Sequence, residues 1–155
     1  MNDLATVLKA IAQVETGGNS YPRFERSFAP AGQSFTVQGH IITGTGTNFT
    51  SVAAKRWAVY GMASACSFGP WQILYHTAAD HGFAGQPSDL WFGSQPIVES
   101  RMTALFHKGA NTIAKLADAW NSGSFTDANV PGDYIAKVVQ AFINAGGDPV
   151  KPLDL

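Results

Sequence analysis

The apolar positions at the start of the chain have helical spacing. Leu4, Leu8, Ile11 and Glu15 fall at steps of 4, 3 and 4, with Val7 and Val14 beside them. Asn2 or Asp3 is placed to cap this helix, and Gly17-Gly18 to stop it. A glutamate therefore ends the apolar stripe, in the last turn. Five further helical stretches follow. Ser51 precedes VAAKRWAVY, and Pro70 stands in the first turn of PWQILYHTAADH, with Gly82 as its stop. Ser94–Pro96 open a helix carrying Val98, Met102, Leu105 and Phe106. Ile113, Leu116, Ala117 and Trp120 mark another that ends at Gly123. Pro131 opens the last, with Ile135, Val138, Val139 and Phe142 on one face and Gly146-Gly147 closing it.

Residues 33–50 differ. They are rich in Thr, Val, Ile and Gly, and two strand-like runs, 35–38 and 40–43, flank Gly39 as a small hairpin or extended loop. No internal repeat, long linker or low-complexity tract interrupts the pattern. The expectation is one α+β domain over residues 1–155, predominantly helical, with an insertion at about 20–60.

Composition narrows the possibilities. Apolar residues at 45% and aromatics at 12% exclude general disorder. A chain of 155 residues buries enough surface to fold without disulfide or metal. The single cysteine, Cys66, forms no intramolecular disulfide. A net charge of −1 removes the electrostatic footprint of a nucleic-acid binder and argues against adhesion to an anionic surface by bulk charge. The N-terminal stretch lacks the basic start, apolar run and cleavage site of a secretory signal, and no window suits a membrane span. A chain made in the cytoplasm is expected, with neither nucleic acid nor membrane as partner.

Three segments carry candidate chemistry. Glu15 combines burial on a helix face with the negative end of the helix dipole, and both raise the pKa of a carboxyl toward that of a general acid. The competing reading is a glutamate that snorkels to solvent at a frayed helix end. In residues 67–83, Ser67 is placed as a helix cap, Gly69 permits close backbone approach, and Gln72 one turn on offers donor and acceptor to a sugar amide or hydroxyl. The same residues also read as an ordinary capped helix with Trp71, Ile73 and Leu74 in the core. In residues 116–123 and the closing helix, Asn121 and Tyr134 are polar groups on apolar helices, where either could equally be a structural hydrogen-bonder.

Taken together, these segments resemble the lysozyme-like superfamily, in particular the soluble lytic transglycosylase and goose-type lysozyme branch. There a helix ends in a catalytic Glu followed by a small residue, here VETGGN. A Ser-x-Gly-x-x-Gln-(Ile/Met) segment ending in Thr-Ala follows, here Ser67, Gly69, Gln72, Ile73, Thr77 and Ala78. The third element is AWNSG at 119–123, and then a Tyr-(Ile/Val)-x-x-Val helix from Tyr134 to Val138. Three features depart from that branch. Residues 20–60 lengthen the interval after Glu15, and PRFERSF at 22–28 looks like a segment of phage N-acetylmuramidases. Pro70-Trp71 also replaces the Leu-Met before the Gln.

The resemblance implies a lysozyme-like fold with a glycan cleft beside the 33–50 insertion, and a muramidase of peptidoglycan, an endolysin of phage or prophage origin acting on the cell wall after release. Glu15 would protonate the β-1,4 glycosidic oxygen between N-acetylmuramic acid and N-acetylglucosamine. A second carboxylate that activates water gives hydrolysis; without one, the 6-hydroxyl attacks and a 1,6-anhydro product forms, as in lytic transglycosylases. Glu25 is the best second carboxylate, with an ion pair to Arg23 or Arg26 as the alternative; Asp80 and Asp118 are weaker choices. Ser67, Gln72, Trp71, Asn121 and Tyr134 would bind substrate, and Trp120 could stack on sugars or simply pack in the core. The expected partner is the glycan strand, bound by a monomer without cofactor or metal, since the four histidines form no ligand pattern. Two rivals remain. Cys66 before a helix N-terminus, with His76 and His81 downstream, reads as a Cys-His amidase or peptidase. A glycan-binding or structural module without catalysis is the other.

Overall fold

The computed structural model describes residues 1–25, 33–37, 40–44, 50–122 and 132–155. Along the chain the elements are α1 (Leu4–Thr16), β1 (Arg23–Phe24), β2 (Gln33–Val37), β3 (His40–Gly44), α2 (Ser51–Tyr60), β4 (Cys66–Phe68), β5 (Ile73–Leu74), α3 (Tyr75–Asp80), α4 (Leu90–Gly93), α5 (Gln95–His107), α6 (Ile113–Ser122) and α7 (Gly132–Asn144). Short 3₁₀ turns occupy Gly61–Ala65 and Pro87–Asp89. The architecture is α+β and predominantly helical, as the apolar pattern predicts. Gly39, Gly123 and Pro131, and residues 26–28 of the PRFERSF segment, lie outside the described residues. Among the described residues no helix is long and apolar enough to cross a membrane. The chain divides into two compact units, Met1–Asn19 with Val98–Leu155, and Ser20–Ile97.

The first unit is helical. Asp3 caps α1 by accepting from the Thr6 amide at 2.9 Å and the Thr6 hydroxyl at 2.7 Å. Gly17, at φ +66°, ends it and returns its N–H to the Ala12 and Gln13 carbonyls. Asn2, the other cap candidate, instead faces the carbonyls of Asp148, Lys151 and Pro152 at 2.8–3.1 Å. α1 packs on α7, and α7 on α6. Val7, Leu8 and Ile11 of α1 are buried, as are Val98, Met102 and Leu105 of α5, Ile113, Leu116 and Ala117 of α6, and Val138 and Phe142 of α7. Each large apolar side chain taken out of water contributes about 1.5–3 kcal/mol before conformational entropy is counted. Ile135 and Val139 are only half-buried, so the buried stripe of α7 is narrower than its sequence. After α7 the chain passes so close to the Phe142 ring that a side chain at Gly147 would overlap it.

In the second unit β1, β4 and β5 form an antiparallel sheet in that order, with Arg23 opposite Ser67 and Phe24 opposite Cys66. Ser67 pairs with Leu74, and Phe68 with Ile73. β2 and β3 form a separate hairpin, with Val37 opposite His40, close to the two predicted runs. Ala65, Cys66, Phe68, Ile73, Tyr75, Ala78, Leu90 and Trp91 are buried. Thr50, not Ser51, caps α2, its hydroxyl accepting from the Ala53 amide at 3.2 Å.

The helix predicted over 70–81 is largely replaced. Gly69 to Gln72 form a tight turn closed by Gln72 N–H to Gly69 O at 3.1 Å, β5 follows, and α3 begins only at Tyr75. Ser67 is therefore a strand residue and not a helix cap. The cause is twofold. Proline's fixed φ suits the second position of a β-turn as well as a helix start. Pairing Phe68 with Ile73 then buries both side chains, which a helix from Pro70 would separate. Gly69 is required at its place: φ is +80°, and a Cβ there would stand 2.5 Å from Ser94 Oγ and 3.2 Å from Leu90 O.

Candidate active site

Glu15 and Tyr134 meet in the first unit. Glu15 stands one turn after Ile11 and extends the apolar stripe of α1 with a carboxyl. Tyr134 stands one turn before Val138 and extends the stripe of α7 with a phenol. Because these stripes face each other, the polar tips meet: Tyr134 Oη donates to Glu15 Oε1 at 2.8 Å. Both residues are half-buried. The Glu15 carboxyl thus accepts from a neighbouring O–H that fixes its orientation.

The second cluster lies in the other unit and follows from strand alternation. Side chains two apart on a strand share a face, so Arg23 and Glu25 point the same way. With Arg23 opposite Ser67, the Glu25 side chain is diagonal to Ser67. The backbone continues this pairing, since Glu25 N–H donates to Ala65 O at 2.8 Å. Glu25 Oε1 consequently receives Arg23 Nε at 3.3 Å and lies 2.7 Å from Ser67 Oγ. The ion pair with Arg23, the alternative reading of Glu25, is therefore present.

Gln72 completes this cluster. It is the one residue other than glycine, among those described, with positive φ, at +53°. Such a conformation costs about 1 kcal/mol or more and persists only where surroundings fix it. The fixing groups are visible: Gln72 Nε2 donates to Tyr21 O at 2.7 Å and to Gly69 O at 3.0 Å. Its amide oxygen lies 3.1 Å from Ser67 Oγ. The buried amide is engaged with protein groups on every side, so it organises the cluster rather than presenting itself to a ligand.

The remaining predicted residues are dispersed. Trp71 sits half-buried at the tip of the β4–β5 turn, and Trp120 is half-buried on α6. Asn121 is exposed near the end of α6. Asp118 accepts from the Ser122 hydroxyl, and the largely exposed Asp80 is paired with Arg56 at 2.7 Å.

The cysteine reading is corrected. Cys66 lies on β4 and not before a helix, so no helix dipole lowers its pKa. It is fully buried, and burial together with the nearby Glu25 charge pushes the thiol up to about 12. A thiolate nucleophile needs the opposite environment. His76 is likewise buried against Arg56, whose Nη1 lies 2.7 Å from its Nδ1, and its pKa is lowered to about 4 by burial and by the Arg56 charge.

Two contributors went unnoticed in the sequence. Tyr21 acts through its carbonyl, for which side-chain pattern holds no signal. The Arg56–His76–Asp80 group joins α2 to α3 across twenty residues and more, with Arg56 also 5.8 Å from the Tyr75 ring centre. Among the described residues no group of three His, Cys, Asp or Glu side chains is arranged to hold a metal ion. No protein-family model, curated protein or solved structure matches this chain.

Proposed function

We propose that the protein cleaves the β-1,4 bond between N-acetylmuramic acid and N-acetylglucosamine in peptidoglycan, as a muramidase of endolysin type. The observation that carries this reading is the hydrogen bond from Tyr134 to Glu15, which joins the first and last of the segments that resemble the lysozyme-like superfamily across 119 residues. Glu15 is assigned the role of general acid, protonating the glycosidic oxygen as the bond to the anomeric carbon breaks. Tyr134 orients the Glu15 carboxyl and supplies a hydrogen bond when it has given up its proton.

The test is digestion of purified peptidoglycan with the products read by mass spectrometry. Muropeptides with new reducing N-acetylmuramic acid ends support the reading. Products lighter by one water reassign the protein as a lytic transglycosylase. Cleavage within the stem peptides, or glycan binding without products, overturns it.

A further inference from the structure

Within the first unit, α1 and α7 do not close on each other along their whole length. A cavity of about 560 Å³, open to solvent, lies between them, a size typical of small-ligand sites. Ala12 on α1, Ala141 on α7 and Ala145 just after it give the cavity a floor of methyl groups. Its rim is polar: Lys9 and Gln13, one turn apart on α1, face Asn144 at the end of α7. Among the described residues Lys9 has no ion-pair partner. Asn144 Oδ1 accepts from Gln140 Nε2 at 3.0 Å, so its NH₂ group remains a donor. The cavity therefore offers one cation, two amides and a shallow apolar floor. None of the described residues that line it is acidic or aromatic. A nucleotide base or a sugar face would need an aromatic surface to stack on, and a phosphate would be matched better by an arginine fork or several cations. A single ammonium above a floor of methyls suits a carboxylate carried by a chain with small side groups.

We infer that this groove binds a short peptide with small side chains and a free terminal carboxylate. Lys9 meets the carboxylate, the Gln13 and Asn144 amides pair with peptide groups, and the alanine floor takes the methyls. The place of the groove gives it a use. Ala12 stands three residues before Glu15 and so beside it on the surface of α1, and Gly18, which also lines the groove, follows Glu15 by three. The groove thus flanks the carboxyl that Tyr134 holds at 2.8 Å. Taken with the proposed glycan cleavage, on which this step rests, the occupant is the peptide carried by N-acetylmuramic acid. The protein then prefers strands that keep their peptides over strands stripped of them.

Titration of N-acetyl-trialanine into isotope-labelled protein, followed by NMR, tests the groove without reference to catalysis. The free acid should shift the backbone amides of Ala12, Gln13, Gly18 and Ala141 and reach saturation. The C-terminal amide of the same peptide should bind about threefold more weakly, because it lacks the charge that Lys9 meets at an exposed rim. Lys9→Gln should bring acid and amide to the same affinity, and Lys9→Arg should keep them apart. Ala141→Leu fills the floor and should abolish binding of both, with melting curves confirming that the variant is folded. A free acid that shifts none of the groove amides, or equal binding of acid and amide by the wild type, overturns the inference. If the wild type cleaves glycan, its preference for peptide-bearing over peptide-free strands, read as kcat/KM, should fall about threefold in Lys9→Gln. An unchanged preference removes the glycan-borne peptide as the occupant. A wild type that binds the free acid in the groove but leaves peptidoglycan intact refutes the proposed reaction and leaves the carboxylate site standing.

Discussion

The Arg56 guanidinium donates from Nη1 to Nδ1 of the buried His76 at 2.7 Å, so this imidazole is neutral, with its hydrogen on Nε2. Arginine has no acceptor and does not lose its charge, which leaves only this tautomer compatible with the contact. The same guanidinium pairs with Asp80 through Nη2, and α2 is thereby tied to α3.

Stability should fall in mild acid for this reason. His76 titrates at about 4 in the fold against an ordinary value of 6.5, so between these values the unfolded chain binds more protons. The stabilisation is complete above about pH 6.5 and is lost progressively as pH falls toward 4, amounting at most to about 3 kcal/mol. Melting temperature measured from pH 8 to pH 4 should drop across this window. In His76→Leu that part of the drop should vanish. An identical pH dependence in both proteins would remove His76 as the cause.

Removing the Tyr134 hydroxyl separates orientation from proton donation. Glu15→Gln should abolish glycan cleavage with the fold intact, since the proposed general acid is gone. Tyr134→Phe should retain the fold within about 1 kcal/mol and lower kcat by about tenfold or more, because the carboxyl loses its fixed partner. The check is kinetics on solubilised glycan strands beside denaturant melts. Full activity in Tyr134→Phe would show that the 2.8 Å bond is only structural.

Cys66 should be inert. A thiol that is fully buried and pushed up to about 12 carries almost no thiolate at neutral pH. Iodoacetamide should label it only after unfolding, and Cys66→Ala should cleave glycan at the wild-type rate. Rapid labelling of the native protein with loss of activity would reverse this assignment.

The turn at Gly69 gives a test of the β4–β5 geometry. Gly69→Ala combines an unfavourable positive φ with overlap against Ser94 and Leu90, and should cost about 2–4 kcal/mol in urea unfolding. Gly82→Ala makes the useful contrast. Gly82 also has positive φ, at +100°, but nothing stands within 4 Å of the added atom, so only the backbone strain of about 1 kcal/mol should appear.

These positions also mark how far the sequence was legible. α1, α5, α6 and α7 were readable because each repeats an apolar stripe over ten or more residues, and Asp3 and Gly17 are typical caps. Glu15 and Tyr134 were legible as candidates because each interrupts such a stripe with a polar tip. Their meeting was not, because it depends on how two helices distant in sequence pack. The 67–74 stretch was misread because Ser67 and Pro70 suit a helix start and a strand–turn–strand equally well. What decides between them is the pairing of Phe68 with Ile73, a tertiary fact. The Ser67–Glu25 contact depends on the register of a two-residue strand, too short for any periodicity to reveal.

The pairing of α1 with α7 also sets the order in which the molecule can be built. Ser20–Ile97 is one continuous stretch, and its contacts are available as soon as it has left the ribosome. Its neighbour is discontinuous: Val7 and Ile11 must wait for Val138 and Phe142, and Met1 for the carbonyl of Gly146, 145 residues later. Helix α1 is thus among the last to find its place. Until then its apolar stripe has no cover from α7, and long-range closure is the slow step expected in refolding.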